Sequence, residues 1–537
     1  MIMPAWYSRS GSPIGISGAQ VDDRPWWSRR WFLISITILT AVPLLLPESP
    51  PLVDLPGHLG RYRVQLDLSS SPELQRYFNF QWQLAGNLGM DLLIVPVARV
   101  FGLELGLKLL VLAIPPLTTA AIFLLAAEIH GRVPPTALFA VPFVYNFPFI
   151  FGFINFALSM AFALLAFILW LRITKRKQWH VRSLVFALLS CGLWITHAFG
   201  WALLVVLICS AEYVRYHHDR GLNWTASAVR SALACAPVVI LPGFLMIVWR
   251  NGMPSGLDLS SFNLTDKVYA VIVTLRDRWF LWDVLGIGVG LAAIAFALLH
   301  RRVFFAQDLA IAAALLTLLF LLLPHTLWGS VFADTRIVAY IMIIAIVTLR
   351  LEDSSSPSVS RSIAVLGLLF VLGRIAATTL SFAIADREMK DRLAALAHIP
   401  VGAPVLSLVG DPCTTDWSLP RYWHAGSFVI VRRSGFSNDQ WQVAGAHSLS
   451  VAYRQAGKFT ADPSQVVHPI WCLAALPPGL RHLGQTTENV LRTFPREAFG
   501  YVWVIRAPDL RPGPRPGLTP VWRGADSVLY KVDADGA

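Results

Sequence analysis

Charged side chains make up only 14% of the 537 residues, against about a quarter in soluble globular chains. That scarcity excludes an ordinary soluble domain. Cysteine is sparse as well: the five cysteines show no CxxC or zinc-type spacing, which excludes a thiolate metal centre. No P-loop, GxGxxG, HExxH or GxSxG sequence sits in a context that would give it meaning. ATP-driven transport and zinc or serine hydrolysis therefore have no support. Acidic residues number 32 against 44 Lys and Arg, a net charge of +12. A nucleic-acid partner does not follow, because much of the basic excess lies in short loops between apolar runs, where membrane topology accounts for it. No internal repeat stands out.

What the chain has is apolar length. It is 55% hydrophobic, and its 20 Trp and 31 Phe suit a protein with two membrane interfaces, where amphipathic rings collect. Residues 1–30 are polar and end in Arg29-Arg30, and the apolar run Trp31–Pro47 follows without a small-residue cleavage site. This reads as a cytoplasmic tail and an uncleaved first span. Further apolar runs lie near 106–127, 135–151, 153–171, 183–197, 198–213, 231–249, 280–299, 309–324, 337–349 and 362–384. The expectation is an α-helical polytopic membrane protein of about eleven spans in the plasma (inner) membrane. With the N-terminus inside, the cytoplasmic loops receive Arg132, the cluster Arg172-Lys175-Arg176-Lys177-Arg182, then Arg215, Arg220, Arg230, Arg301-Arg302, Arg350 and Arg361. That is the positive-inside pattern, and an odd span count puts the C-terminus outside.

Asn87–Gly102 is apolar but short and holds Asp91, Pro96 and Arg99, so it reads as an amphipathic helix lying at the interface. The transmembrane bundle is then 31–384, including a long outer loop at 48–105. The Ser-rich stretch Ser354–Ser362 reads as a cytoplasmic linker. Beyond it, 385–537 reads as an extracytoplasmic α/β domain. A charged amphipathic helix, Asp386–His398, leads into β-rich runs at Val405–Val409, Phe428–Arg432, Tyr501–Ile505 and Val528–Val532. Cys191, Cys209 and Cys235 read as packing residues. Cys413 and Cys472 fall in the outer domain, where an oxidising compartment would permit a disulfide.

The segment just outside the first span, ESPPLVDLPGHLGRYR, carries the most chemistry. Pro56 suits the first turn of a helix, with Asp54 just ahead of it. His58, Arg61 and Gln65 then share one face, and Leu59, Tyr62 and Leu66 another. A carboxylate there can act as general base on a hydroxyl, and a guanidinium fork suits a phosphate. The plainer reading is that Asp54 caps the helix while His58 and Arg61 meet lipid headgroups. His197 and His325 read as interface histidines, with Asp334 and Arg336 bracketing the second outer turn. Arg374 stands near the middle of the last span, where a charge is costly and faces a polar cavity or a partner such as Asp334.

One span, a long outer loop with an early acid, an interfacial helix ending in Val100-Phe101-Gly102, a bundle and an outer C-terminal domain follow in order. That order resembles the C-type (GT-C) polytopic glycosyltransferases over nearly the whole chain. The resemblance implies a polyprenyl-phosphate-linked sugar donor, a lipid, glycan or protein acceptor, and Asp54 as the catalytic base. His58, Arg61, Arg336 and Arg374 are the candidates for binding substrate or lipid phosphate. Many members carry an acidic pair in the first loop, and here Glu48 or Asp91 would have to supply the second acid. Some members use a divalent cation, but no ligand set stands out, so no cofactor or metal is expected. The alternatives are a transporter or flippase of a lipid or glycan, and a non-catalytic envelope scaffold. The reading predicts that cysteines placed at Lys175–Lys177 label only from the cytoplasmic side and cysteines within Pro404–Ala537 only from outside. Labelling of residue 177 from outside breaks the span count.

Overall fold

The computed structural model describes residues 24–251, 263–300, 303–327, 330–352, 356–411, 416–442, 447–475, 484–507, 510 and 514–533. Most of the N-terminal tail, Arg301-Arg302, Ser354 and Cys413 lie outside the described residues. Each apolar run read from the sequence is helical, but their lengths differ. Six helices are long and apolar enough to cross a membrane: Leu103–His130, Ile154–Lys175, Trp179–Thr196, Ala198–Asp219, Phe280–Leu299 and Pro357–His398. A seventh is formed if Trp224–Ala234 and Ala236–Asn251, bent by 60°, count as one span. Arg30–Leu45, Pro135–Phe151, Gln307–Leu322 and Thr335–Val347 are shorter. By length and composition the described residues thus hold six helices, or seven with the bent pair, fit to cross, which does not by itself bear out the count of eleven. The 13 residues of Thr335–Val347 cover about 20 Å, less than the roughly 30 Å hydrocarbon core. Pro135–Tyr145 is wound as a 3-10 helix with Pro142 inside it and is buried along most of its length, since proline removes the N–H an α-helix needs.

Gly89–Phe101, also 13 residues, is likewise too short to cross. It buries Met90, Asp91 and Ile94 while Val100 and Phe101 stay exposed. Asp386–His398 is not a separate helix. The last span runs unbroken from Pro357 to Leu393 and carries the chain out towards the C-terminal sheet.

That sheet has Pro404–Gly410 at its centre, parallel to Phe436–Ser437, Val466–Val467 and Tyr501–Ile505, and is completed by antiparallel Ser527–Val532 and Leu518–Arg523. Phe428–Arg432, expected as strand, lies in the helix Ser427–Arg433. Its β-branched composition gives way to topology: joining two parallel neighbours requires a crossover, and this helix is part of it.

The loop at 48–105 is part of this domain's core. Phe78–Phe80 pairs antiparallel with Leu449–Val451, and Val64, Leu74, Tyr77 and Phe78 pack with Leu406, Leu408, Ile430 and Phe436. The loop helix Leu55–Asp67 lies against Ser427–Arg433 through two glycines. A Cβ at Gly57 would fall 2.5 Å from Trp441, and one at Gly60 would fall 2.6 Å from Gln440 and 3.1 Å from Ser427. Gly60→Leu should therefore force the two helices apart at a cost of about 1–3 kcal/mol. A lowered thermal midpoint together with faster proteolysis of the C-terminal domain is the expected result, and unchanged values would contradict the docking.

Candidate active site

Asp54 occupies the N-cap position of Leu55–Asp67, yet its side chain makes no capping hydrogen bond. The reason is local. Its backbone N–H donates to Phe151 O at 2.8 Å, and Gly152, at φ +114°, lies so close that a Cβ there would sit 2.8 Å from Asp54. The turn at 150–152 thus holds Asp54 against the bundle, with its carboxylate making no bond to the helix it begins. This decides against the plain capping reading.

The carboxylate meets the C-terminal domain. His424 Nε2 is 3.7 Å from Asp54 Oδ1 and 4.0 Å from Asp462 Oδ1, while His424 Nδ1 is 2.9 Å from the carbonyl of Asp439. Burial pushes the Asp54 carboxyl up to about 7; Asp462 adds to the rise, and His424 and Arg336 oppose it. Burial also raises Asp439, to about 6, although its carboxylate accepts from the Ser427 N–H at 2.8 Å and hydroxyl at 3.0 Å.

Arg336 stands in the first turn of Thr335–Val347. Its guanidinium lies 4.0 Å from the centre of the Phe153 ring and donates to Val331 O at 3.2 Å. It is buried, its Nε has no partner, and among the described residues no carboxylate lies within ion-pair distance. A buried cation without a counter-ion is costly unless an anion joins it. Phe147, Phe151, Phe153 and Phe332 cluster beside it, with ring centres 5.1–6.5 Å apart.

The other expected residues have different settings. Arg61 pairs with Asp91 at 2.9 Å, both buried, and Gln65 donates to Asp91 O at 2.8 Å, so this face of the loop helix clamps the interfacial helix. His58 lies between Tyr62 and Trp441. Burial, then Arg61, His424 and His447, hold its imidazole well below the usual range, so it carries no charge for a phosphate. Arg374 pairs with Asp283 at 2.8 Å and donates to Leu275 O at 3.0 Å. Its carboxylate partner is thus Asp283 rather than Asp334, which instead holds Lys267 at 2.8 Å and His325 at 3.0 Å. His197 Nδ1 caps the following helix by accepting from Phe199 N at 3.2 Å. Glu48 pairs with Arg432 at 3.0 Å and lines a separate cavity of about 690 Å³ between the last span and the C-terminal domain. The second acid near Asp54 is therefore Asp462, not Glu48 or Asp91. Among the described residues no cluster of three or more His, Cys, Asp or Glu is arranged to hold a metal.

No family model matches the chain, and no curated protein matches it. Two crystal structures of ArnT from Cupriavidus metallidurans are similar to it, both 13% identical. The one bound to undecaprenyl phosphate has a TM-score of 0.45 over 94% of this chain and 98% of its own. The apo form has a TM-score of 0.43 over 93% and 96%.

Because Arg374 and Asp283 are mutually buried, Arg374→Leu should strand the carboxylate and cost about 3–5 kcal/mol. A large drop in thermal midpoint is the expected outcome. A variant as stable as the unmodified protein would contradict the pairing.

Proposed function

We propose that the chain is a membrane glycosyltransferase that moves a sugar from a polyprenyl-phosphate donor to a lipid, glycan or protein acceptor at the outer membrane face. The observation that carries this reading is the pairing of opposites in one buried place: an uncapped carboxylate at Asp54, and at Arg336 a guanidinium without an ion-pair partner among the described residues. Asp54 accepts the proton of the acceptor hydroxyl as its oxygen attacks the anomeric carbon, with inversion. Arg336 neutralises the phosphate as the anomeric bond breaks and its electron pair departs with the lipid phosphate. The phenylalanine cluster offers an apolar wall to the first isoprene units.

The outward placement of the C-terminal domain rests on two supports. One is the basic clusters in the short loops, which suit the cytoplasmic side. The other is Cys472, which is disulfide-bonded as an oxidising compartment favours. A transporter has one observation on its side, the bent pair at 224–251, but broken spans in transporters come as matched pairs from two repeats.

Asp54→Asn should leave donor binding intact and lower turnover by roughly a hundredfold or more. Because the base must be ionised, turnover of the unmodified protein should rise with pH through about 7. Arg336→Leu should weaken donor binding, and Arg336→Lys should restore only part, since a point charge replaces a fork. A reconstituted assay with a radiolabelled polyprenyl-phosphate sugar measures all three. Undiminished turnover in Asp54→Asn removes the residue from the mechanism.

A further inference from the structure

His424 belongs to the segment leading into Ser427–Arg433 and is buried. Its Nδ1 faces a carbonyl, an acceptor only, so that nitrogen carries a hydrogen. Nε2 is left to face two carboxylates, Asp54 and Asp462. They differ in access: the Asp54 side chain is 12% exposed and that of Asp462 is 26% exposed. His424 thus stands within 4.0 Å of both a more enclosed and a more exposed carboxylate, and two of the three groups come from the C-terminal domain.

Resting on the reading of Asp54 as base, we propose that His424 and Asp462 are the exit path for the proton that Asp54 takes up, with His424 positioning the Asp54 carboxylate between turnovers. In the transfer step the acceptor O–H bond breaks and the proton goes to Asp54. The new sugar–oxygen bond forms as the bond to phosphate breaks. His424 then passes its Nε2 hydrogen to Asp462, the freed Nε2 lone pair takes the proton from Asp54, and Asp462 releases its own to water. All three groups return to their starting charge. At 3.7 and 4.0 Å each transfer runs through a water or a small closing movement on substrate binding.

The surrounding charges suit this cycle. Arg336 acts on Asp54 from the start of Thr335–Val347, and Asp439 acts on His424 within its own domain. His58 is held neutral between Tyr62 and Trp441, and His447, lowered to about 3 by burial and then by Arg61, is neutral too. Burial opposes charge on His424, but Asp462, Asp54 and Asp439 outweigh it and raise the imidazole above its usual value. The charged imidazole is thus the form that its carboxylate neighbours favour.

The test is an infrared titration of the full chain in lipid nanodiscs, with the Asp54 carboxyl band identified by its loss in Asp54→Asn. The unmodified protein should titrate near 7. His424→Gln should raise that midpoint by about one unit, because a neighbouring cation is lost. Asp462→Asn should lower it, because a neighbouring anion is lost. An unmoved midpoint in His424→Gln, or an upward shift in Asp462→Asn, overturns the coupling. If His424→Gln does not fold, Asp462→Asn decides alone, a downward shift supporting the coupling and any other result overturning it. Turnover of His424→Gln on a radiolabelled polyprenyl-phosphate sugar should stay about tenfold low even above the shifted midpoint, and full recovery there overturns the exit path. Absence of transfer by the unmodified protein, with both shifts intact, overturns the transferase reading and leaves the coupling standing.

Discussion

The left-handed turn at Gly152 and the carboxylate it holds in place govern much of the rest of the molecule. A carboxylate at a helix N-terminus ordinarily folds back onto the first turn, where free N–H groups and the helix dipole stabilise it. Asp54 is kept from doing so because its backbone is tied to Phe151 and its Cβ is pressed against Gly152. Burial without a cap pushes its carboxyl up to about 7, a cost that a packing residue would not be expected to carry. The loop helix must then be held firmly on its other sides. Arg61 and Gln65 fasten it to the interfacial helix, while Gly57 and Gly60 let the C-terminal domain approach closely enough for His424 to reach Asp54.

Buried charge sorts the remaining polar groups. Arg61 with Asp91, Arg374 with Asp283, and Lys267 with Asp334 are closed pairs within 3 Å. They join helices and domains. Asp283 also accepts from Trp417 Nε1 at 2.8 Å and so ties two apolar helices to the C-terminal domain. Such pairs fix geometry more than they add stability. Arg336 differs from them because, among the described residues, no carboxylate lies within ion-pair distance and its close neighbours are the Phe153 ring and the Val331 carbonyl. That contrast separates a cation serving architecture from one suited to receive a phosphate.

The membrane class, the long loop after the first apolar helix and the position of Asp54 were legible in the sequence because each has a local signal: long apolar runs, a break in them, and an acid two residues before a helix-starting proline. The length of individual helices was less legible, since hydropathy reports burial and does not distinguish a crossing helix from a short apolar one packed in the bundle. Partners of the arginines could not be read either. Arg374 and Asp283 are 91 residues apart, and no periodicity links them. His424, Asp439 and Asp462 escaped notice for the same reason, lying in a loop-rich domain whose polar residues resemble a solvated surface. The one local hint was the run Ser437-Asn438-Asp439-Gln440, four polar residues in a row that the structure buries. Consecutive polar residues are ordinary in loops, and only the fold reveals that these are enclosed.

Outer loop and C-terminal domain forming one body over Asp54 is the central claim, and a cross-strand disulfide tests it most directly. Asn79 and Ser450 are register partners in the antiparallel pair that joins loop to domain, and both are exposed. Directly opposed strand residues lie within disulfide reach. Cysteines at both positions should therefore cross-link within one chain under mild oxidation, giving a linked peptide pair by mass spectrometry. Turnover of the oxidised protein should match that of the reduced protein. Failure to cross-link, or activity that returns only on reduction, would mean that the working state holds the two apart.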